Sequence, residues 1–257
     1  MSGYAALVTG ASRGIGRGIA VALASEGFAV AVNNPTHDAD VEQTLAAVRA
    51  LGARAQPVIG DISELAAHAG MLDEAEAALG PLTTLVNNAG VGVQKRGDLL
   101  DVTPQSFDRC HAINTRGGFF LTQAWARRVL ARQRPADVHQ CVITVTSSNA
   151  EAASISRGEY CVSKAAAAMT AKLFAVRLAP FDIGSYAIQP GLIETPLTAP
   201  VLDDYRRRIV EDGLTIVPRL GQPSDIGSIA QALATGKLAF CTGEVLHADG
   251  GLLIPRF

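Results

Sequence analysis

Tyr160 and Lys164 stand four residues apart at the head of an alanine-rich stretch of helical period. On a helix that spacing puts both side chains on one face, so a phenol and an ammonium point into the same cleft. A phenol with a reference pKa of about 10 is poorly ionised at neutral pH, and a neighbouring cation favours its phenolate. A tyrosine so placed can trade a proton with an alcohol or carbonyl oxygen. Ser147 lies thirteen residues before Tyr160, at the end of an apolar run, where its hydroxyl can hold a substrate oxygen. Asn114 falls inside a predicted helix, although asparagine more often caps or turns. Each residue alone reads more simply as structure: a buried tyrosine, a lysine stem along apolar surface, a strand-end serine. Their co-occurrence is what points to proton transfer at an oxygen.

A second constellation, Gly10-Ala11-Ser12-Arg13-Gly14-Ile15-Gly16, follows an apolar run and opens a helical one. Glycine in such a turn lets backbone approach a pyrophosphate, and the helix N-terminus adds oriented N–H donors and a favourable dipole. The spacing is G-x-x-x-G-x-G rather than G-x-G-x-x-G, and glycines also serve tight turns and close packing. The strand–turn–helix context therefore carries the dinucleotide reading. Sites for NAD place an acidic residue about 20 positions beyond the glycines, where it accepts from the ribose 2′-hydroxyl. That place holds Asn33-Asn34-Pro35, with no carboxylate before Asp38. Arg13, inside the turn, can face a 2′-phosphate instead. The charge pattern favours NADP(H); NAD(H) stays open if Asn34 serves both and Arg13 is a solvated turn residue.

These residues need a scaffold that brings them to one edge. Apolar runs predict strands at Ala5–Thr9, Ala29–Asn33, Arg54–Ile59, Thr84–Asn87, Val142–Thr146, Gly184–Ile188 and Val245–Ala248. Helical period predicts helices at Gly14–Glu26, Ala39–Leu51, Glu64–Leu79, Pro104–Thr115, Phe119–Arg132, Glu159–Leu178 and Pro223–Ala234. Most strand runs are continuously apolar, as expected for strands covered on both faces. The alternation implies right-handed βαβ crossovers and an α/β fold: a doubly wound, seven-stranded parallel sheet with helices on both faces. Ligands bind beyond the carboxyl ends of such strands. Residues 190–218 there carry Pro190, Pro196, Pro200 and Pro218 and a short charged helix, Asp203–Glu211, and read as a lid. The small, polar stretch 148–158 reads as a pocket wall. Both also read as plain surface connections.

Length and composition bound the rest. A chain of 257 residues without linker or repeat suits one domain spanning 1–257. With 22 basic against 24 acidic residues the balance argues against a general nucleic-acid binder or a basic membrane-surface protein. Aromatics, at 5%, are too sparse for base-stacking platforms. Cys110, Cys141, Cys161 and Cys241 are scattered without a C-x-x-C, as expected of reduced cytoplasmic thiols with no metal or disulfide role. No basic-then-apolar leader precedes Tyr4 and no apolar run approaches a membrane span, so a soluble cytoplasmic protein is expected.

In chain order, Thr9-Gly10-x-x-x-Gly14-x-Gly16, Asp61, Asn87-Asn88-Ala89-Gly90, Asn114, Ser147, Tyr160-x-x-x-Lys164, Pro190-Gly191 and Asp249-Gly250-Gly251 cover essentially the whole sequence. In that ordered set the chain resembles the short-chain dehydrogenase/reductase family. The branch is the short, single-domain, Rossmann-like one that includes 3-oxoacyl-[acyl-carrier-protein] reductases and many carbonyl- and sugar-reducing relatives. The resemblance implies an NAD(P)(H)-dependent oxidoreductase interconverting a carbonyl and a secondary alcohol. It implies an Asn114–Ser147–Tyr160–Lys164 tetrad. In it Tyr160 is the general acid/base and Ser147 orients the substrate oxygen. Lys164 lowers the tyrosine pKa and binds the nicotinamide ribose, and Asn114 holds a water in the proton relay. Gly10, Ser12, Arg13, Gly14, Ile15, Gly16 and Asn34 would hold the cofactor. Asp61 and Ile62 would border the adenine, Asn88, Ala89 and Gly90 the adenosine ribose, and Ile193 with Thr195 the carboxamide, beside Pro190 and Gly191.

Two departures bear on these expectations. The family often ends two serines on the catalytic one; here Thr146-Ser147-Ser148 leaves Ser148 as an alternative, although the spacing to Tyr160 selects Ser147. Asn34 stands where NAD-using members carry aspartate. Substrate is weakly written: Val91–Arg96, Glu151–Ile155 and 192–216 mix apolar and polar residues, and Lys95 and Arg96 suit an anionic group or plain solvation. Arg127, Arg128, Arg132 and Arg134 can receive an acidic acyl carrier protein or simply complement a helix dipole. A sugar, a polyol or another small alcohol is equally compatible. A dinucleotide-binding sensor without turnover is opposed by the intact Tyr160/Lys164 pair, and an epimerase or dehydratase resembles longer chains. The resemblance also implies a homotetramer built on the helices around 104–132 and 159–178, with Gly243–Phe257 at another interface.

Overall fold

Successive residues of β1 (Ala5–Val8) turn to opposite faces. Ala5 and Leu7 enter one apolar cluster, Ala6 and Val8 another. A strand covered on both sides has no position to give to water, which is why it reads AALV. The computed structural model describes residues 3–133 and 138–256. The other strands are β2 (Ala29–Asn34), β3 (Ala55–Ile59), β4 (Thr84–Asn87), β5 (Gln140–Val145), β6 (Ile183–Pro190) and β7 (Val245–Ala248). All pair in parallel in one seven-stranded sheet, in the order β3-β2-β1-β4-β5-β6-β7.

The helices are α1 (Gly14–Ser25), α2 (Ala39–Ala50), α3 (His68–Leu79), α4 (Pro104–His111), α5 (Gly118–Ala131), α6 (Gly158–Leu178), α7 (Leu202–Glu211) and α8 (Pro223–Ala234). Helices α1, α2 and α8 cover one face through Ile19, Leu23, Leu45, Ile226 and Leu233. The other face lies under α3, α5 and α6, with Leu72, Leu121, Trp125 and Leu178. Each such side chain contributes about 1.5–3 kcal/mol when fully buried, so the two apolar layers hold the sheet. Local signals start the helices where expected. Asp38 caps α2 by accepting from Val41 N at 3.0 Å, Thr103 caps α4 ahead of Pro104, and Gln222 with Asp225 forms a capping box on α8.

The predicted helix 104–115 stops at His111 and passes into a π-helical turn, Ala112–Gly117, for a reason that lies in the site. The predicted helix 64–79 begins as a 3-10 turn, Leu65–Ala67. Strand β5 starts two residues earlier than its apolar run, because Cys141 N donates to Thr83 O at 3.1 Å and Gln140 is buried with it. The stretch 148–158 forms two short 3-10 turns, Ser148–Ala150 and Ile155–Arg157, and the 190–218 segment carries α7. Parallel pairing brings Gly10, Asn34, Asp61, Asn88, Ser147 and Pro190 to one edge. The strand order reverses there between β1 and β4, which opens a crevice. Among the described residues no helix is long and apolar enough to cross a membrane.

Candidate active site

At the end of β1 the turn needs its glycines. Gly10 has φ +60°, and a Cβ there would stand 2.8 Å from Ala89 Cα; a Cβ on Gly16 would collide with the Gly10 carbonyl. Thr9 and Asn88 fasten this turn to the end of β4. The Thr9 hydroxyl oxygen accepts from Asn88 N and Ala89 N, both at 3.0 Å, while Asn88 Nδ2 donates to Thr9 O (2.8 Å) and Gly10 O (3.0 Å). Buried Asn33 donates to Val58 O (3.0 Å) and Gly60 O (2.9 Å), which sets the loop carrying Asp61 and Ile62. Asn34 Oδ1 accepts from Ser12 Oγ at 3.1 Å. No side chain caps α1, so its N-terminal amides face the cleft without a protein acceptor from the cap residue. The cleft measures about 530 Å³. A backbone cradle too tight for a Cβ, an uncapped helix N-terminus and that volume fit a dinucleotide.

Tyr160 lies in the first turn of α6 and Lys164 in the second. Lys164 is 5% exposed; its Nζ donates to Val145 O at 3.0 Å and sits 5.8 Å from the Tyr160 ring centre. Burial pulls its pKa down to about 8. Burial likewise raises the Tyr160 phenol above its ordinary range, while a hydrogen bond with the Ser147 hydroxyl and the Arg157 guanidinium act the other way. The positive end of α6 adds to that opposing pull. Ser147 Oγ also accepts from Asn149 N at 3.2 Å, which fixes its place at the end of β5. The phenol meets Ser147 rather than the buried Ser148 next to it.

Asn114 explains the π-helical turn. Its Oδ1 accepts from Val91 N at 2.8 Å, and its Nδ2 donates to Val91 O at 3.0 Å and Ser163 Oγ at 2.9 Å. Ser163 Oγ in turn donates to Tyr160 O at 2.8 Å. The extra residue in the turn swings this amide between the β4 loop and α6, so one side chain joins three segments of the site.

Gly10, Ser12, Arg13, Gly14, Ile15, Gly16, Asn34, Asp61, Ile62, Asn88, Ala89, Gly90, Tyr160, Lys164 and Thr195 all line the one cleft. Asn114 lines a recess beside it. Pro190 closes β6 and Gly191 follows, neither lining the cleft. Ile193 buries its side chain in the core. Sequence reasoning missed Arg157, whose only signal was its place just before α6. It also missed buried Glu159, which accepts from Ser106 Oγ at 2.6 Å and ties α6 to α4. Leu197, on the 190–218 segment, lines the cleft and is 65% exposed. Two arginines of the run are ion-paired. Arg128 pairs with Asp73 (2.7 Å) and Glu76 (3.2 Å), and Arg132 with Glu76 (2.6 Å); Arg134 lies outside the described residues.

A family model described as enoyl-(acyl carrier protein) reductase matches residues 10–253. The chain belongs to the short-chain dehydrogenase/reductase family. Among that family's members, a 3-oxoacyl-[acyl-carrier-protein] reductase of Staphylococcus aureus is 31% identical over 249 residues, 96% of this chain and 97% of its own. An L-rhamnose 1-dehydrogenase (NAD(P)(+)) of a Sphingomonas species is 29% identical over 254 residues, 99% of this chain and 98% of its own. The crystal structure of a 3-oxoacyl-[acyl-carrier protein] reductase from Brucella melitensis in complex with NAD matches at a TM-score of 0.95 and 37% identity, with 100% of both chains covered. As a short-chain dehydrogenase/reductase this protein is an oxidoreductase with a Rossmann-like fold, related to both oxoacyl reductases and sugar dehydrogenases.

Proposed function

We propose that this chain interconverts a carbonyl compound and its secondary alcohol, with a nicotinamide dinucleotide in the cleft and Tyr160 as general acid/base. The observation that carries this reading is the Lys164 ammonium 5.8 Å from the Tyr160 ring centre, in the same cleft as the uncapped N-terminus of α1, with Ser147 acting on the phenol. A bound nicotinamide supplies or accepts the hydride; the protein contributes position and charge. Ser147 holds the substrate oxygen against Tyr160, which gives that oxygen its proton during reduction and takes it back during oxidation. Lys164, braced on Val145 O, lines the cleft to reach the nicotinamide ribose and keeps positive charge behind the phenol. Both Asn114 N–H donors and one lone pair of its oxygen are taken by protein partners, so it serves the relay by holding the π-helical turn and its backbone in place, with the second lone pair left for a water.

NADP(H) is the preferred form in this reading, carried by Arg13 in the cleft and by Asn34 in place of a carboxylate. A small carbonyl or sugar substrate is favoured over a carrier-bound thioester by one observation: Arg128 and Arg132 are spent on Asp73 and Glu76. Self-association into a tetramer through α5 and α6 is supported by the exposed apolar side chains of Phe120, Val162, Met169, Leu173 and Val176. Four unpaired cysteines suit the cytoplasm. The test is initial-rate oxidation of NADPH and NADH against an acetoacetyl thioester, α-diketones and keto sugars. Tyr160→Phe should still bind dinucleotide and lose about 10²–10⁴-fold in kcat. A variant that keeps more than about a tenth of wild-type turnover would remove Tyr160 from this role.

A further inference from the structure

A chain of ion pairs at the adenosine end of the cleft has no part in the reaction above. Arg17 is firmly held: Nη2 donates to Ser12 O at 2.6 Å and Asp40 O at 3.0 Å, and Nε to Thr44 Oγ1 at 2.9 Å. The same Nη2 reaches Asp40 Oδ1 at 3.4 Å, which orients the carboxylate. Its other oxygen, Oδ2, takes Arg13 Nη1 at 3.5 Å. Arg13 lines the cleft and Asp40 does not, so the carboxylate draws the guanidinium outward. The Arg13 side chain is 62% exposed and that of Asp40 36%, and an ion pair so exposed is weak and can be broken by a stronger anion. Asp38, the neighbouring carboxylate, is occupied elsewhere, accepting from Val41 N at 3.0 Å and Asn34 Nδ2 at 3.4 Å.

We propose that Asp40 sets how strongly this chain prefers a 2′-phosphorylated dinucleotide, by holding Arg13 away from the 2′ position and keeping negative charge beside it. The inference rests on the dinucleotide reading above and on Arg13 as the partner of a 2′-phosphate. A phosphate monoester carries close to two negative charges at neutral pH and is the ligand a guanidinium fork matches best. To meet it, Arg13 has to leave Asp40, and the abandoned carboxylate then repels the phosphate within a Debye length. A nucleotide with a free 2′-hydroxyl asks neither thing, so Asp40 acts on one cofactor and not on the other. Asp40 is a positioning residue in this sense, since its main effect passes through Arg13.

The experiment is calorimetric titration of adenosine 2′,5′-bisphosphate and 5′-AMP into the wild type, Asp40→Asn, Asp40→Ala, Arg13→Ala and the Arg13→Ala/Asp40→Asn double variant. No hydride transfer is needed. Both Asp40 variants should bind the bisphosphate about three- to tenfold more tightly, with 5′-AMP unchanged, as a screened surface pair allows. The ratio of kcat/KM for NADPH over NADH should rise by the same factor. Arg13→Ala should weaken the bisphosphate alone, and the gain from Asp40→Asn should fall below twofold in its background. Unchanged bisphosphate binding in the Asp40 variants, equal tightening of both nucleotides, or a gain undiminished without Arg13 would each overturn the proposal while leaving the dinucleotide reading intact. A wild type that binds neither nucleotide overturns both.

Discussion

Asn114→Ala tests the claim that one amide holds three segments of the site together. The substitution removes the acceptor of Val91 N (2.8 Å) and the donors to Val91 O (3.0 Å) and Ser163 Oγ (2.9 Å). Asn114 is 7% exposed, so these bonds are poorly replaced by water. At about 1 kcal/mol net for each bond the loss is about 3 kcal/mol. In a chain of this size that lowers the melting temperature by about 6–12 °C. Turnover should fall as well. Gly90 packs tightly between Asn114 and Lys164, since a Cβ there would lie 3.3 Å from Asn114 Oδ1 and 3.2 Å from Lys164 Nζ. Loosening that wall displaces the lysine. Ser163→Ala removes one of the three bonds together with the Ser163 Oγ–Tyr160 O bond and leaves Asn114 on Val91, so its melting shift should be about two-thirds as large. Scanning calorimetry at one fixed rate, with initial rates on the same preparations, reads both variants. An Asn114→Ala melting temperature within about 1 °C of wild type, or a Ser163→Ala shift as large as that of Asn114→Ala, would refute the reasoning.

Gly10→Ala forces an L side chain into φ +60° and places its Cβ 2.8 Å from Ala89 Cα, a backbone atom that cannot step aside. The expected cost is about 2–3 kcal/mol in urea unfolding, together with loss of 5′-AMP binding; unchanged binding would mean that the turn is not the cradle. Lys164 gives a pH signature. Its folded pKa is lowered from 10.5 to about 8, so between those values the unfolded chain holds a proton that the folded one has lost. Stability conferred by this site therefore rises with pH across that window, by up to about 3 kcal/mol, and is flat below it. Lys164→Met removes the group, so its stability advantage over wild type at pH 7 should shrink toward pH 10; parallel urea curves at the two pH values would contradict a desolvated lysine.

What the sequence made legible follows the range of the interaction. Tyr160 and Lys164 are joined by helix periodicity, and Gly10 to Gly16 by a single turn, so both could be read without a fold. The apolar runs located the strands because the sheet is covered on both faces, and the start displaced furthest is at Gln140, a buried polar residue ahead of its run. Whatever depends on distant partners was hidden. The π-helical turn exists because Asn114 reaches Val91 and Ser163, 23 and 49 positions away. The arginines ahead of β5 read equally as a carrier-protein site or a helix-dipole complement, and nothing local shows that Arg128 and Arg132 meet Glu76, 52 and 56 positions upstream. Arg13 looked free until the start of α2 brought Asp40 to it, 27 positions on. In each case a charge or amide was visible in the sequence and its counterpart was not.

The same separation decides which form of Tyr160 rests in the site. Desolvation is the largest influence on the phenol and raises its pKa; the Ser147 hydrogen bond and Arg157 oppose it without reversing it. Lys164, with a pKa of about 8, is about nine-tenths protonated at pH 7 and loses its charge as pH climbs toward the phenol's own range. The phenol therefore stands protonated at neutral pH, as a donor, and the ammonium that would favour its ionisation fades as alkali begins to remove the proton. A tyrosine that rests as the acid is prepared to protonate a carbonyl oxygen as hydride arrives, whereas oxidation of an alcohol must first draw the proton off through Ser147 and the cleft. From this balance of charges the expected outcome is that alcohol oxidation needs a higher pH than carbonyl reduction to reach a comparable rate, which initial rates in both directions across pH would check.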